Sequence, residues 1–358
     1  MPRPYALLRA SFPHVTSVGG FVNTSMPRDI AIGKEGRLYA LCTGNAGPIA
    51  ILNLEDEDLG SFGAPGFGFR LPSYKCNQRN RDWPVQDGAL LWHVQIIVDR
   101  DEILYISDQG TDRITIYDRF GEYLGKWGEH GSSDGQLDRP SGIAFDYDEN
   151  MYVVDTMNHR VQQFTKNGVF LNKFGSYGTG DGELDMPWGI HVDELGDIYV
   201  VDWRNDRVQK FDSDGNFIFK LGSSGTGDGQ FNRPSGIAVD RHGDIYVADC
   251  GNDRVQLFSQ EGRYVQKFVG DATMTRSTLK RTLTANKKYF RVRESAEAVG
   301  LDAAKFFSRP VSVRVDDEFR MYVADHWNFR FQVYQKEAYP LSEDEVAPPL
   351  RAASTGSA

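Results

Sequence analysis

Apolar and polar residues alternate along the chain in short runs, and the runs come in groups of four. In one group they are Gly142 to Asp146, Met151 to Asp155, Arg160 to Phe164 and Phe170 to Phe174. Alternation with a period of two predicts β-strands. Turn residues such as Asn167-Gly168, between the third and fourth runs, predict tight hairpins. The pattern therefore predicts an all-β protein.

The group of four strands is repeated along the sequence. An aspartate at the end of the second run recurs with a spacing of 47 residues at Asp108, Asp155, Asp202 and Asp249, and again at Asp325. Cys42 stands at the same place in the first group. A period of about 40 to 50 residues with four strands is typical of a propeller blade. Six groups predict a six-bladed β-propeller of four-stranded antiparallel blades, forming a single domain over residues 1–340.

The two ends of the chain are expected to share the last blade. The sixth group supplies only three strands, within residues 311–335. Aligning the linker that ends at Met26-Pro27 with the one that ends at Met186-Pro187 places the fourth strand at residues 5–12. Such a strand would close the ring and leave no open sheet edge. Residues 341–358, rich in Pro, Ser, Ala and acidic residues, are predicted to be a disordered tail.

The end of the second strand carries a recurring motif. It reads Asp155-Thr-Met-Asn158-His159-Arg160, then Asp202-Trp-Arg-Asn205-Asp-Arg207, then Asp249-Cys-Gly-Asn252-Asp-Arg254, each followed by Val-Gln. These stretches resemble the NHL repeat family. The resemblance implies a propeller but not one function, because proteins with such repeats include a peptide-amidating lyase, RNA-binding repressors and interaction domains.

The amidating lyase of this family binds zinc through three histidines that directly follow blade-opening prolines. The matching positions here are Arg28, Val94, Ser141, Trp188, Ser235 and Val311. None is a histidine, so the resemblance implies no zinc site of that kind. The cofactor is therefore unknown. A divalent metal bound near His93, one residue from a matching position, stays an open alternative without a clear ligand motif.

Charge and composition narrow the classes of function. The 358 residues contain 40 Lys and Arg against 50 Asp and Glu, a net charge of −10. This balance opposes binding to nucleic acid or to anionic membranes. The sequence has no apolar run of membrane-spanning length and no secretion signal pattern. Three scattered cysteines, Cys42, Cys76 and Cys250, fit a reducing compartment. We expect a cytoplasmic protein that has no contact with membranes.

Two insertions are expected to cover one face of the disc. They span about residues 60–92 and 271–309 and fall in linkers between blades, on the face where the first strands begin. The first insertion has four Lys and Arg against two acidic residues, and the second has nine against four. Basic segments on an acidic body predict lids over a site for an anionic ligand. Alternatively, they are fixed caps that dock by charge pairing.

Recurring and non-recurring polar residues have different expected roles. The aspartates at the ends of the second strands are followed five residues later by Arg113, Arg160, Arg207, Arg254 and Arg330. Because this pair recurs in five of the six blades, it predicts a structural ion pair in each of those five. Residues that break the repeat are better functional candidates.

Histidines that break the repeat are candidates for proton transfer. His93 replaces a blade-opening proline, and His326 stands where other blades carry Thr, Trp or Cys. His191 replaces an alanine in a first strand. Histidine exchanges a proton near neutral pH. We therefore predict His93 and His326 as catalytic residues, with a structural role as the alternative.

Arginines and tryptophans on the same face are candidates for binding. Arg28 and Arg204 would hold an anion, since a guanidinium matches a carboxylate or phosphate. Trp188, Trp203 and Trp327 would form apolar walls of the pocket, or plugs beneath the insertions.

Three classes of function follow from these features. The first is an enzyme of lyase or hydrolase type that acts on an anionic small molecule in a lidded pocket. The second is a protein-interaction scaffold that uses the same face. RNA binding is the third, and the net charge disfavours it.

Overall fold

The computed structural model describes residues 9–20, 24–43, 47–65, 86–271 and 305–339. Most of the two predicted insertions, at residues 66–85 and 272–304, lies outside the described residues. The predicted tail at 341–358 and Cys76 also lie outside them. The predictions of lids and of a disordered tail therefore stay predictions.

Six four-stranded antiparallel sheets form the blades of the described chain. Their strands, from first to fourth, are as follows: Pro27–Ile32, Leu38–Cys42, Ile49–Leu52 and Asp58–Phe62 in blade one; His93–Val98, Leu104–Asp108, Arg113–Tyr117 and Tyr123–Trp127 in blade two; Pro140–Phe145, Asn150–Asp155, Arg160–Thr165 and Phe170–Phe174 in blade three; Ile190–Val192, Ile198–Asp202, Arg207–Phe211 and Phe217–Leu221 in blade four; Gly236–Val239, Ile245–Asp249, Arg254–Phe258 and Tyr264–Phe268 in blade five; Pro310–Val315, Arg320–Asp325, Arg330–Gln335 and His14–Gly19 in blade six.

Shorter elements connect and extend the blades. Two-residue strands Ala64–Pro65 and Ala89–Leu90 pair in parallel. Single turns of 3-10 helix are formed by Lys34–Gly36, Thr156–Asn158, Trp203–Asn205, Cys250–Asn252 and His326–Asn328. Among the described residues, no helix has the length and apolarity that crossing a membrane requires.

The blades form a closed ring around a central channel. Each first strand contacts the first strands of both neighbouring blades, and blade six contacts blade one in the same way. The hydrophobic core consists of clusters between adjacent blades. In the cluster that joins blades six and one, Tyr322 and Phe331 pack with Ile30 and Leu38. The predicted six-bladed β-propeller is confirmed.

Closure by an N-terminal strand is also confirmed, but the predicted position of that strand is wrong. The fourth strand of blade six is His14–Gly19, with Val18 opposite Phe331, and not residues 5–12. Fewer residues separate Gly19 from Pro27 than separate Phe174 from Pro187, so aligning the two linkers placed the strand too early. Arg9–Ser11 instead pairs with Glu337–Tyr339, which extends the contact between the two ends.

The predicted ion pair between second and third strands is present in four blades. The Nε atoms of the arginines lie 2.7–3.0 Å from carboxylate oxygens in the pairs Asp155–Arg160, Asp202–Arg207, Asp249–Arg254 and Asp325–Arg330. Blade two differs from the prediction. There the Asp108 carboxylate accepts hydrogen bonds from the main-chain N–H groups of Leu91, Trp92 and Gly110, and Arg113 donates to the carbonyl of Ala89.

Candidate functional site

A cavity of about 260 Å³ opens into the channel at the end where the first strands begin. Its wall is made by the starts of first strands and by the loops between second and third strands. Arg28 and Asp29 come from blade one, Trp188 and Trp203 from blade four, Cys250 from blade five, and Arg309, Arg314 and His326 from blade six and the linker before it. The volume lies just below the roughly 300 to 1,000 Å³ of typical small-molecule sites.

Three arginines line this cavity, but only one has a carboxylate partner. Arg314 forms an ion pair with Asp29, with 2.5 Å between Nη2 and Oδ2. Within the described part of the chain, the guanidinium groups of Arg28 and Arg309 form no hydrogen bond and no ion pair; the Nε of Arg28 is buried without a partner. Burial lowers the pKa of Arg28, although an arginine stays charged at neutral pH. The cavity wall therefore carries an excess of positive charge.

Asp29 is the centre of a buried polar network in the channel. Its carboxylate accepts hydrogen bonds from the Ser312 hydroxyl, from the Arg314 Nε at 3.1 Å, and from the main-chain N–H of Ile96 at 3.1 Å. These contacts connect blades one, two and six. With its charge offset by Arg314, Asp29 does not neutralise Arg28.

His326 lies beside Arg28 and is uncharged at neutral pH. Its Nδ1–H donates to the carbonyl of Pro27 at 2.9 Å, which leaves Nε2 as the atom that carries the lone pair. Burial, followed by the nearby charges of Arg28 and Arg309, lowers the pKa of His326 to about 4. A neutral imidazole with a free lone pair can accept a proton.

His93 has a comparable contact but a different location. Its Nε2–H donates to the carbonyl of Cys42 at 2.8 Å, and its buried Nδ1 has no hydrogen-bond partner. Burial lowers the pKa of His93. His93 does not line the cavity, although Val94 and Gln95, which follow it, do. Blade one therefore accepts a hydrogen bond from a histidine of each neighbouring blade: His93 of blade two and His326 of blade six.

His191, the third histidine that breaks the repeat, lies on the first strand of blade four outside the cavity wall. Burial, followed by the charge of Arg314, lowers the pKa of His191 to about 4.

Two tryptophans of blade four form an aromatic wall. The rings of Trp188 and Trp203 lie 6.2 Å apart between centroids with an angle of 36°, and the guanidinium of Arg233 lies 4.4 Å from the centroid of Trp203. The other two predicted binding residues lie outside the cavity. Arg204 is exposed, and Trp327 is 52% exposed with Arg309 stacked on its ring at 4.9 Å.

Cys250 lies in the cavity wall between blades four and six, where sequence analysis gave it no role. Burial raises the pKa of its thiol. The group is therefore protonated at neutral pH and is not a ready nucleophile.

One group among the described residues has donors close enough to bind a metal ion: Asp112, His130 and Asp138. It does not line the cavity. Its contacts are those of a link between blades, because Asp112 accepts from the N–H of Arg139 at 2.7 Å and pairs with His130 Nδ1 at 3.0 Å. In the same way Asp206, two repeats later, accepts from the main-chain N–H of Arg233.

Four polar residues of the cavity wall were not among the residues predicted from the sequence. Two residues after the blade-opening residue, the sequence has glycine in blades three to five but Asp29, Gln95 and Ser312 in the others. Arg314 also breaks the repeat, since alanine stands at its position in blades one, three and five. These departures are visible in the repeat, although only histidines, arginines and tryptophans were taken from it as candidates.

Comparisons with known proteins agree with the fold. The profile of the NHL repeat matches residues 184–211 and 231–258, in blades four and five. No curated protein sequence matches the chain.

Solved structures that resemble the whole chain include lyases. A streptogramin B lyase is 9% identical to this chain with a TM-score of 0.51, and the alignment covers 93% of this chain and 98% of the lyase. Virginiamycin B lyase from Staphylococcus aureus is 11% identical with a TM-score of 0.53, and the alignment covers 94% of this chain and 90% of that enzyme. A protein of unknown function from Bacteroides thetaiotaomicron is 17% identical with a TM-score of 0.58, and the alignment covers 92% of this chain and 76% of that protein. At such identities the likeness shows the fold alone.

Proposed function

We propose that this NHL-repeat six-bladed β-propeller is an enzyme of lyase or hydrolase type that acts on an anionic small molecule in the cavity of the central channel. The observation that carries the proposal is the partly buried guanidinium of Arg28, which has no anionic partner among the described residues and lies beside the neutral His326. A cation without a counter-charge in a partly dehydrated site is unfavourable. A bound carboxylate or phosphate would relieve this cost.

Arg28 and Arg309 would bind the anionic group together. Arg28 is on the first strand of blade one, and Arg309 is in the linker that enters blade six, so the two approach the cavity from adjacent blades. Stacking on Trp327 restricts the Arg309 side chain without neutralising it. Planar guanidinium groups fit the oxygens of a carboxylate or phosphate.

His326 would act as the general base. Its Nε2 would take a proton either from a carbon next to the activated group of the substrate or from a water molecule. In the first case the electron pair forms a double bond as a leaving group departs from the neighbouring carbon, which is a lyase reaction. In the second case the water oxygen attacks a carbonyl carbon, the acyl bond breaks, and the leaving group takes up the proton from His326, which is hydrolysis.

The remaining predicted residues would act around this centre. His93, bound to Cys42 and outside the cavity, would be a positioning residue for the first strand of blade one. Trp188 and Trp203 would contact the body of the substrate. Arg204 and Trp327, which are exposed, would meet only parts of a ligand that extend out of the cavity.

Lyase chemistry occurs on other propellers of similar structure. The similar folds include streptogramin B lyase and a catalytically inactive histidine-to-alanine variant of virginiamycin B lyase from Staphylococcus aureus. This likeness supports the proposal only by showing that the fold can host a histidine-dependent lyase.

Binding of anions is the first test. Thermal shift and calorimetry with acetate, phosphate and larger carboxylates should show binding that Arg28→Gln weakens by roughly tenfold or more, since a charged hydrogen bond is lost. Arg241→Gln is the matched control, because Arg241 pairs with Glu194 and Asp317 away from the cavity. Unchanged binding by Arg28→Gln would contradict the anion site. Absence of any anion binding would favour the protein-interaction scaffold.

The pH dependence of turnover tests the base. In the free protein His326 has a pKa of about 4, and its neutral form is the active one, so kcat/KM should fall only as the pH drops towards 4. A bound anion would offset the charges of Arg28 and Arg309 and raise this pKa, so the acid limb of kcat should lie at higher pH. We expect His326→Gln to abolish turnover with binding retained. Full turnover in this variant would exclude His326 as the base.

A further inference from the structure

The residue that directly follows the blade-opening residue (proline, or His93 in blade two) makes different contacts in different blades. In blades three and five it is serine, and each hydroxyl donates to a carbonyl of the next blade: Ser141 to Trp188 at 2.8 Å and Ser235 to Val311 at 2.9 Å. In blades one and four it is Arg28 and Trp188. No corresponding side-chain bond is formed by these two within the described chain, and both side chains line the cavity.

These two departures lie on opposite walls. In a ring of six, blades one and four face each other across the channel. The cationic wall therefore contains Arg28, with His326 and Arg309 beside it, and the aromatic wall contains Trp188 and Trp203. A ligand that spans the cavity meets a charge at one end and two indole rings at the other.

The aromatic wall is fixed in place and still has donors to offer. The main-chain N–H of Trp188 donates to Val201 at 2.8 Å, and its carbonyl accepts from Gly142 at 2.8 Å as well as from Ser141. Arg233 stacks on Trp203. No acceptor for either indole N–H is present among the residues that the structure describes. Rigid rings with free N–H groups suit a flat apolar body that carries a polar substituent.

We infer that the ligand is an amphipathic anion: a carboxylate or phosphate attached directly or through a short link to an aromatic or other apolar ring. This inference rests on the proposed anion site and adds to it the second half of the ligand. The charged group would bind at Arg28 and Arg309, and the ring would stack against Trp188 and Trp203. The reacting atoms would then lie between the two walls, next to His326.

Three probes of related shape test this arrangement by calorimetry and by quenching of tryptophan fluorescence. Phenylacetate carries both features, acetate lacks the ring, and phenylacetamide lacks the charge. We expect phenylacetate to bind about tenfold or more tightly than either of the others. Trp188→Ala should remove the advantage of phenylacetate over acetate while acetate binding stays. Trp92→Ala, at an exposed tryptophan outside the cavity wall, is the matched control.

The outcomes separate this inference from the proposed function. Equal affinities for acetate and phenylacetate, both lost in Arg28→Gln, would overturn the amphipathic ligand and leave the anion site intact. Equal affinities for phenylacetate and phenylacetamide would overturn both. Absence of binding by all three probes at millimolar concentration would also overturn both.

Discussion

The ion pair inside blade four gives a prediction whose control is built into the repeat. Asp202 is fully buried, and its carboxylate accepts from Arg207 Nε at 2.7 Å, from Asn205 at 2.9 Å and from the main-chain N–H of Asp185 at 2.7 Å. Arg207 also donates to three carbonyls of the linker, at 2.8 Å each. Replacing Arg207 by Met would keep the volume of the side chain and remove the counter-charge.

The size of the effect follows from the charge left behind. Breaking a buried ion pair by removing one partner costs about 3 to 5 kcal/mol. For the roughly 270 described residues the entropy of unfolding near 60 °C is about 0.6 kcal/mol/K, so this cost lowers the melting temperature by roughly 5 to 8 °C. Burial already raises the pKa of Asp202, and loss of Arg207 would raise it further. The destabilisation should therefore shrink as the pH falls and the carboxyl group takes up a proton.

Blade two provides the control, because Arg113 occupies the same place without the ion pair. It donates to the carbonyl of Ala89 at 2.8 Å, and its Nε has no partner. Asp108 is satisfied by three main-chain N–H groups. Arg113→Met should therefore cost only about 1 to 2 kcal/mol, or roughly 2 to 3 °C. Scanning calorimetry on both variants measures the difference. Equal losses of melting temperature would refute the assignment of the stabilisation to the buried carboxylate pair.

Two further predictions concern packing in the channel and closure of the ring. In a denaturation assay, Gly189→Ala should destabilise the fold by about 1 to 3 kcal/mol, because a Cβ there would lie 2.5 Å from the carbonyl oxygen of Ser235. The control Gly125→Ala, which has open space around it, should leave the stability unchanged in the same assay. Truncation of residues 1–19 should lower the melting temperature and cause aggregation, because it exposes an edge of blade six. Truncation of residues 1–8 is the control, since it leaves every described strand pairing of that blade in place. Equal stability of the two truncated proteins would contradict the closure.

The repeat made most of the fold predictable. The number of strands in a blade and the number of blades follow from the recurring aspartates, because each blade buries the same face against its neighbour. The alignment failed only where the linker length changed, before Pro27. Linker length is not fixed by the packing of strands, so a shorter connection moved the closing strand to His14–Gly19 without disturbing the blade.

The candidate site was predictable only in part, because a departure from the repeat does not say which way a side chain points. His93 and His326 both break the pattern and both donate to carbonyls of blade one, yet only His326 lines the cavity. The two histidines differ in location because of the packing between blades, which cannot be predicted from the sequence of a single repeat. Asp29 and Arg314 break the pattern too, but they satisfy each other.

A repeat-breaking residue therefore becomes informative when its bonding is examined. Where two residues that break the repeat form an ion pair with each other, as Asp29 and Arg314 do, the fold itself explains why both are present. Arg28 breaks the repeat, lines the cavity and has no partner in the described chain, and no described contact compensates for its partly buried charge. A cost of this kind persists in a protein when something outside the fold offsets it, and an anion bound in the cavity would do so.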